Sequence, residues 1–113
     1  MDQVNSVVLT GKIESIDVVS LKSSRIAKVV IMQKVQQGQE WVDNPILVEA
    51  FGRLSEEILA NAKPGMNVKV SGTVRGRVWN EKVFINIRAG SVEYLAGEEV
   101  PAEQGQEAYD DSF

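Results

Sequence analysis

Between Val68 and Trp79 the chain alternates two kinds of side chain. Val68, Val70, Gly72, Val74 and Val78 share one parity, and Lys69, Ser71, Thr73, Arg75, Arg77 and Trp79 share the other. Successive side chains of a β-strand point to opposite faces. A strand here buries the valines and gathers three cations and an indole on its other side. Aromatic rings stack on nucleobases, at about 1–3 kcal/mol per base, while Lys and Arg neutralise phosphates. The chemistry implied is the gripping of a single-stranded nucleic acid, with no bond made or broken. The run Val83–Arg88 repeats the arrangement, with Val83, Ile85 and Ile87 inward and Phe84, Asn86 and Arg88 outward. A third segment puts Trp41, Leu47, Glu49 and Phe51 on one parity, provided Asn44-Pro45 inserts no bulge.

These side chains have plainer readings. Phe51 suits a core as well as a base platform, and Phe84 suits cross-strand packing as well as stacking. Trp41, beside a hairpin, fits a cap on the barrel better than a direct contact. Trp79, flanked by Arg77 and Lys82, fits nucleic-acid contact better than packing. Glu49 repels phosphate and breaks the positive field of its face.

Catalysis fits poorly. The 113 residues contain no His and no Cys, which removes the usual zinc ligands, thiol nucleophile and neutral-pH general base. The acids form no recognisable constellation, so we expect no enzyme, no metal and no cofactor. The N-terminus lacks a basic start followed by an apolar run, and no stretch is apolar enough to cross a membrane. A cytoplasmic location is expected.

The net charge of −4 conceals an asymmetry. Residues 97–113 hold six acids and no Lys or Arg, and end in Tyr109-Asp110-Asp111-Ser112-Phe113. All 12 Lys and Arg therefore belong to residues 1–96, against ten acids. A weakly basic body with an acidic tail points to a nucleic-acid-binding domain carrying an interaction tail. Hydrophobic periodicity also stops at Gly97, which predicts a disordered tail. The expected division is a folded domain over 1–96 and an acidic tail over 97–113.

The elements that must hold these outward-facing residues are mostly strands. Periodicity predicts strands over 4–19, 25–35, Trp41–Phe51, 66–79 and 82–95. Gly11 suggests a bulge or bend where a small barrel turns a corner, Gln36–Glu40 a hairpin tip and Asn80-Glu81 a short turn. Proline removes a ladder donor, so Asn44-Pro45 should interrupt the third strand or lie at an edge. One helix is predicted over 55–62, with Ser55 as N-cap, Glu56 and Glu57 in the first turn, and Ile58, Leu59 and Ala62 inward. Three strands, a helix and two strands is the order of the OB-fold, an all-β, five-stranded barrel. A five-stranded meander or an SH3-like barrel gives a similar pattern.

Several stretches together resemble one family. Asn5-Ser6-Val7-Val8-Leu9-Thr10-Gly11-Lys12-Ile13 is similar to the opening strand of bacterial-type single-stranded DNA-binding proteins, including those of phages and plasmids. Val48-Glu49-Ala50-Phe51-Gly52-Arg53-Leu54-Ser55-Glu56 resembles the passage from that family's third strand into its helix. Lys63-Pro64-Gly65 followed by Val68-Lys69-Val70-Ser71-Gly72, then Arg75, Arg77 and Trp79, resembles its fourth strand. The resemblance implies base stacking at Trp79 and Phe51, and phosphate contacts at Arg75, Arg77 and Lys12. Phe84, Trp41, Lys69, Arg88, Arg53, Lys82 and Lys28 complete the candidate set. It also implies that Asp110, Asp111 and Phe113 recruit replication and repair proteins, and that the chain forms a homotetramer of dimers through its first strands, or a dimer. Two positions depart from the family pattern: Pro45 stands where many members have a stacking Trp, and Ser112 where a Pro is usual. A protein-interaction adaptor on the same scaffold, or an RNA-binding protein, remains the alternative.

Overall fold

Five strands and one helix make up most of residues 2–95, which this computed structural model describes. In chain order they are β1 (Val7–Ser20), β2 (Arg25–Gln37), β3 (Glu40–Phe51), α1 (Gly52–Asn61), β4 (Asn67–Trp79) and β5 (Lys82–Tyr94). The strands close a barrel in the order β1-β2-β3-β5-β4. A meander would pair β3 with β4. Here β1 pairs antiparallel with β4, and β3 meets β5 in parallel, which is the OB-fold.

Alternation fills the barrel. Ile13, Ala27, Val29, Ile31, Val48, Ala50, Val68, Val70 and Ile87 are buried inside it, and Ile58 and Ala62 close it from the helix side. Fully burying one aliphatic side chain of this size is worth about 1.5–3 kcal/mol.

β1 serves two neighbours. Val7–Lys12 pair with β4 and Lys12–Ser20 with β2, so the strand must bend between them. The bend falls beside Gly11, as expected, but the bulge lies further along. The register shifts between Ile13 and Ser15, and the extra residue, Glu14, lets both Ile13 and Ile16 face the core. Gly11 has a different task. A Cβ there would lie 2.5 Å from Ile31 Cγ2 and 2.8 Å from the Met32 carbonyl oxygen, so glycine lets β1 cross closely over β2.

β3 is continuous, with Pro45 opposite Met32 and no bulge at Asn44-Pro45. The expected interruption is absent, and the edge placement holds. β5 reaches β3 only at Val48–Glu49, so among the described residues no strand lies on the other side of Pro45, where its missing N–H would be needed.

The helix starts earlier than its sequence suggests. Gly52, at φ +64, turns the chain from Phe51 directly into α1. Ser55 is therefore not the N-cap. It is fully buried inside the helix, its hydroxyl 2.7 Å from the Gly52 carbonyl oxygen and 2.9 Å from that of Arg25. Glu56 and Glu57 fall beyond the first turn. Glu56 instead accepts a hydrogen bond from Arg25 Nε at 3.1 Å and a second from the same guanidinium, which holds its carboxyl below the ordinary value. Ile58, Leu59 and Ala62 pack inward as expected.

The largest departure is at the β4–β5 hairpin. Asn80 and Glu81, at φ 56 and 64, form its two-residue turn, the type I′ geometry that suits twisted strands. Val78, Val83 and Ile85 were expected inside and are instead 73, 68 and 62% exposed. β1 leaves β4 at Gly72, and β3 leaves β5 at Ile87. Beyond those points the hairpin is a two-stranded ribbon with no described residue packed over its inner face. Asn5 marks the departure: its Oδ1 accepts from the Val74 N–H at 2.8 Å and its Nδ2 donates to the Val74 carbonyl at 2.9 Å.

Candidate nucleic-acid interface

Strand pairing assembles a row of charges across the outer wall of the barrel. Asp17 lies opposite Lys28, Lys28 opposite Glu49, Glu49 beside Arg88, and Arg88 opposite Thr73. Lys28 Nζ is 3.6 Å from Glu49 Oε2. Arg88 does not complete an ion pair with Glu49. Its guanidinium lies over the Phe51 ring, with Cζ 4.1 Å from the centroid. The ring is therefore on the outer wall rather than in the core, with one face covered by a planar cation. Cation–π contacts of this kind contribute about 0.5–1 kcal/mol at exposed sites.

The wall continues onto the ribbon. Arg75 lies opposite Asn86, Arg77 opposite Phe84, and Trp79 opposite Lys82, all on the outer parity. Arg77 Cζ stands 5.6 Å from the Phe84 centroid, and Arg75 Nε donates to Thr73 Oγ1 at 3.2 Å. Trp79, 63% exposed, forms the end of this stripe. From Phe51 to Trp79 the surface thus alternates rings and guanidinium groups. It can stack planar bases and meet phosphates along one path.

The other candidates fall around this path. Trp41 is exposed near the tip of the β2–β3 hairpin, opposite Gln36, at the end of β3 away from α1. Because β3 and β5 run parallel from both tips toward their shared seam, Trp41 and Trp79 project from the same end of the barrel. Arg53 is exposed in the first turn of α1, one residue past Gly52. Lys12 and Lys69 are exposed on the β1–β4 wall, where Lys69 faces Glu93 across β5. At about 3.3 Å per residue, Lys69 is roughly 20 Å from Arg75 along β4. The Phe51–Trp79 stripe therefore does not include these two lysines. Asp110, Asp111 and Phe113 lie outside the described residues.

Two features escaped the sequence pattern. One is Asn5, which anchors the ribbon's base through a side chain 69 residues away in the chain. The other is the stacking of Arg88 on Phe51, for which residue type gives no signal beyond parity. Among the described residues no group of acids could hold a metal ion, and no helix is long and apolar enough to cross a membrane.

No protein-family model and no curated protein matches the sequence. Solved structures do share the fold. The Plasmodium falciparum SSB in complex with ssDNA superposes with a TM-score of 0.75 at 14% identity, covering 85% of this chain and 98% of that one. A small single-stranded DNA-binding protein from Mycoplasma pneumoniae gives a TM-score of 0.64 at 20% identity, covering 87% and 99%. The resemblance read from the motifs thus has its counterpart in the fold.

Proposed function

We propose that this chain binds single-stranded DNA with little regard to sequence, protecting it during replication, repair and recombination. The observation that carries this reading is the continuous outer stripe of Phe51, Arg88, Arg75, Arg77, Phe84 and Trp79. It runs from the barrel wall onto the projecting ribbon. Bases stack on Trp79, on Phe84 and on the Phe51–Arg88 pair, while Arg75, Arg77 and Lys82 follow the phosphates. The SSB of matching fold, solved with ssDNA, supports the same reading. One OB-fold covers about 4–16 nucleotides, so tight binding gains from linked copies. The edge of β1 from Val7 to Leu9 that faces away from β4 has no strand against it among the described residues, and Val8 is exposed. Such an edge requires cover, which supports assembly through first strands into a dimer or homotetramer.

Titration with poly(dT) quenches the Trp fluorescence strongly, and duplex DNA and poly(U) do so weakly. With Arg75, Arg77 and Lys82 on phosphates and a slope near −0.7 per neutralised phosphate, log K falls against log salt with a slope of about −2. A flat salt response removes the cationic path. Absence of both quenching and retention on single-stranded DNA favours the adaptor reading. Equal binding of poly(U) favours RNA.

The acidic tail supplies the second half of the proposal. Asp110, Asp111 and Phe113 offer two carboxylates and a terminal ring to an apolar pocket with a basic rim on a replication or repair enzyme. The charge asymmetry of the chain and the family resemblance support this. Deleting residues 109–113 abolishes capture of such enzymes and leaves DNA affinity intact. Undiminished capture by the shortened chain disposes of the tip.

A further inference from the structure

Glu49 is the anomaly of the interface. A carboxylate on a wall proposed to meet phosphates costs affinity, and a partly exposed, 3.6 Å ion pair with Lys28 gives little in return. Yet the side chain is held in, only 20% exposed, at the centre of the charged row. Phe51 follows two residues later on the same face, about 7 Å along the strand.

The carboxylate is not saturated. Its contact with Lys28 Nζ, at 3.6 Å, is too long for a hydrogen bond, and no hydrogen bond ends on it among the described residues. Arg88, its neighbour in the parallel seam, has its guanidinium laid over Phe51 instead. Acceptor lone pairs therefore remain beside a stacking platform.

We propose that Glu49 makes the interface discriminate among bases, favouring those that present an amino group over thymine. The inference rests on the single-stranded DNA reading above. A phosphate is repelled at this point and is drawn toward Arg75 and Arg77, so the strand turns a base edge, not its backbone, to the carboxylate. Cytosine presents its N4 amino group there, and acidic side chains accept from that group. Adenine presents N6, and guanine presents N1–H and N2–H₂ side by side, matching both carboxylate oxygens. Thymine presents one N–H between two carbonyl oxygens, so its edge sets acceptors against an anion. Elsewhere the stripe remains indifferent to sequence, because every base has a stacking face.

The test compares oligo(dC) and oligo(dT) of about 12 nucleotides, within the span of one barrel, at one salt concentration. Kd is measured for the wild type, Glu49→Gln and Glu49→Ala. The wild type binds oligo(dC) about fivefold more tightly, the low end of the discrimination given by good base contacts. Both variants bind oligo(dT) more tightly than the wild type does, and the dC/dT ratio falls to about 1. A ratio that survives both substitutions assigns Glu49 a purely structural pairing with Lys28 and overturns the proposal. Equal binding of the two oligomers by the wild type overturns it as well. Failure of the wild type to bind either oligomer overturns the single-stranded DNA reading, and the discrimination falls with it.

Discussion

Replacing Gly72 with alanine lowers the melting temperature by about 15 °C or more, or prevents folding. Gly72 sits where three strands meet: it pairs with Val7 of β1 and with Ala89 of β5, beside the register shift that leaves Gly90 as an extra residue. A Cβ at this position would overlap the Arg88 carbonyl oxygen and stand 2.9 Å from its carbonyl carbon and 3.0 Å from Ala89 Cα. All three are backbone atoms, so no rotamer change relieves the clash. The strands must separate. Overpacking in a rigid site costs about 1–3 kcal/mol and sometimes more, and backbone against backbone belongs at the top of that range. For a domain of this size each kcal/mol shifts the midpoint by about 4–8 °C. Gly76, four residues further along β4, is the control. There the nearest atom is the flexible Ile85 Cδ1, at 3.3 Å, so Gly76→Ala leaves the midpoint within a few degrees. Circular dichroism melts of the two variants check this, and equal midpoints would mean that β4 and β5 do not approach this closely.

Trp79→Ala weakens binding of a labelled single-stranded oligonucleotide by roughly 10-fold to 100-fold while barely changing the melting temperature. The binding cost follows from stacking energies of about 1–3 kcal/mol per base. The stability is spared because the indole is mostly exposed near the ribbon's turn, with Lys82 opposite and no core beneath it. Anisotropy of the labelled oligonucleotide is the suitable measurement, since the substitution removes one of the two tryptophans. Unchanged affinity would move the main platform back to the Phe51–Arg88 stack on the barrel wall. Phe51 is the weaker platform on geometric grounds, because the guanidinium already occupies one face of its ring.

Parity made the stripe legible before any fold was known. Arg75, Arg77, Trp79, Phe84 and Arg88 alternate with aliphatic residues, and alternation is a local property that any strand must express. What alternation does not carry is whether the other face is covered. Val78, Val83 and Ile85 have the pattern of a core, yet among the described residues no strand lies over them, since β1 and β3 turn away before the ribbon begins. The helix start was misplaced for a similar reason. Ser55 is an excellent N-cap by type, but the positive φ of Gly52 starts the helix three residues sooner and buries the serine. Gly11 and Gly72 were visible as glycines and not as crossing points, because the atoms that forbid a Cβ come from β2 and β5. Local chemistry was readable in the chain, and long-range proximity was not.

The way the barrel is sewn shut orders its assembly. Hairpins β2–β3 and β4–β5 join neighbours in the chain and form on the microsecond scale typical of such turns. The β1–β4 and β3–β5 seams join residues far apart in sequence, and the loop entropy they consume makes closure the slow event. The ribbon that carries Trp79 therefore exists before the wall that carries Phe51 is complete. Before closure and after it, Val78, Val83 and Ile85 offer a bare aliphatic strip to other chains. Arg75, Arg77 and Lys82, on the opposite face of the same ribbon, keep such chains apart by charge, so the residues proposed to hold nucleic acid also guard the chain against aggregation.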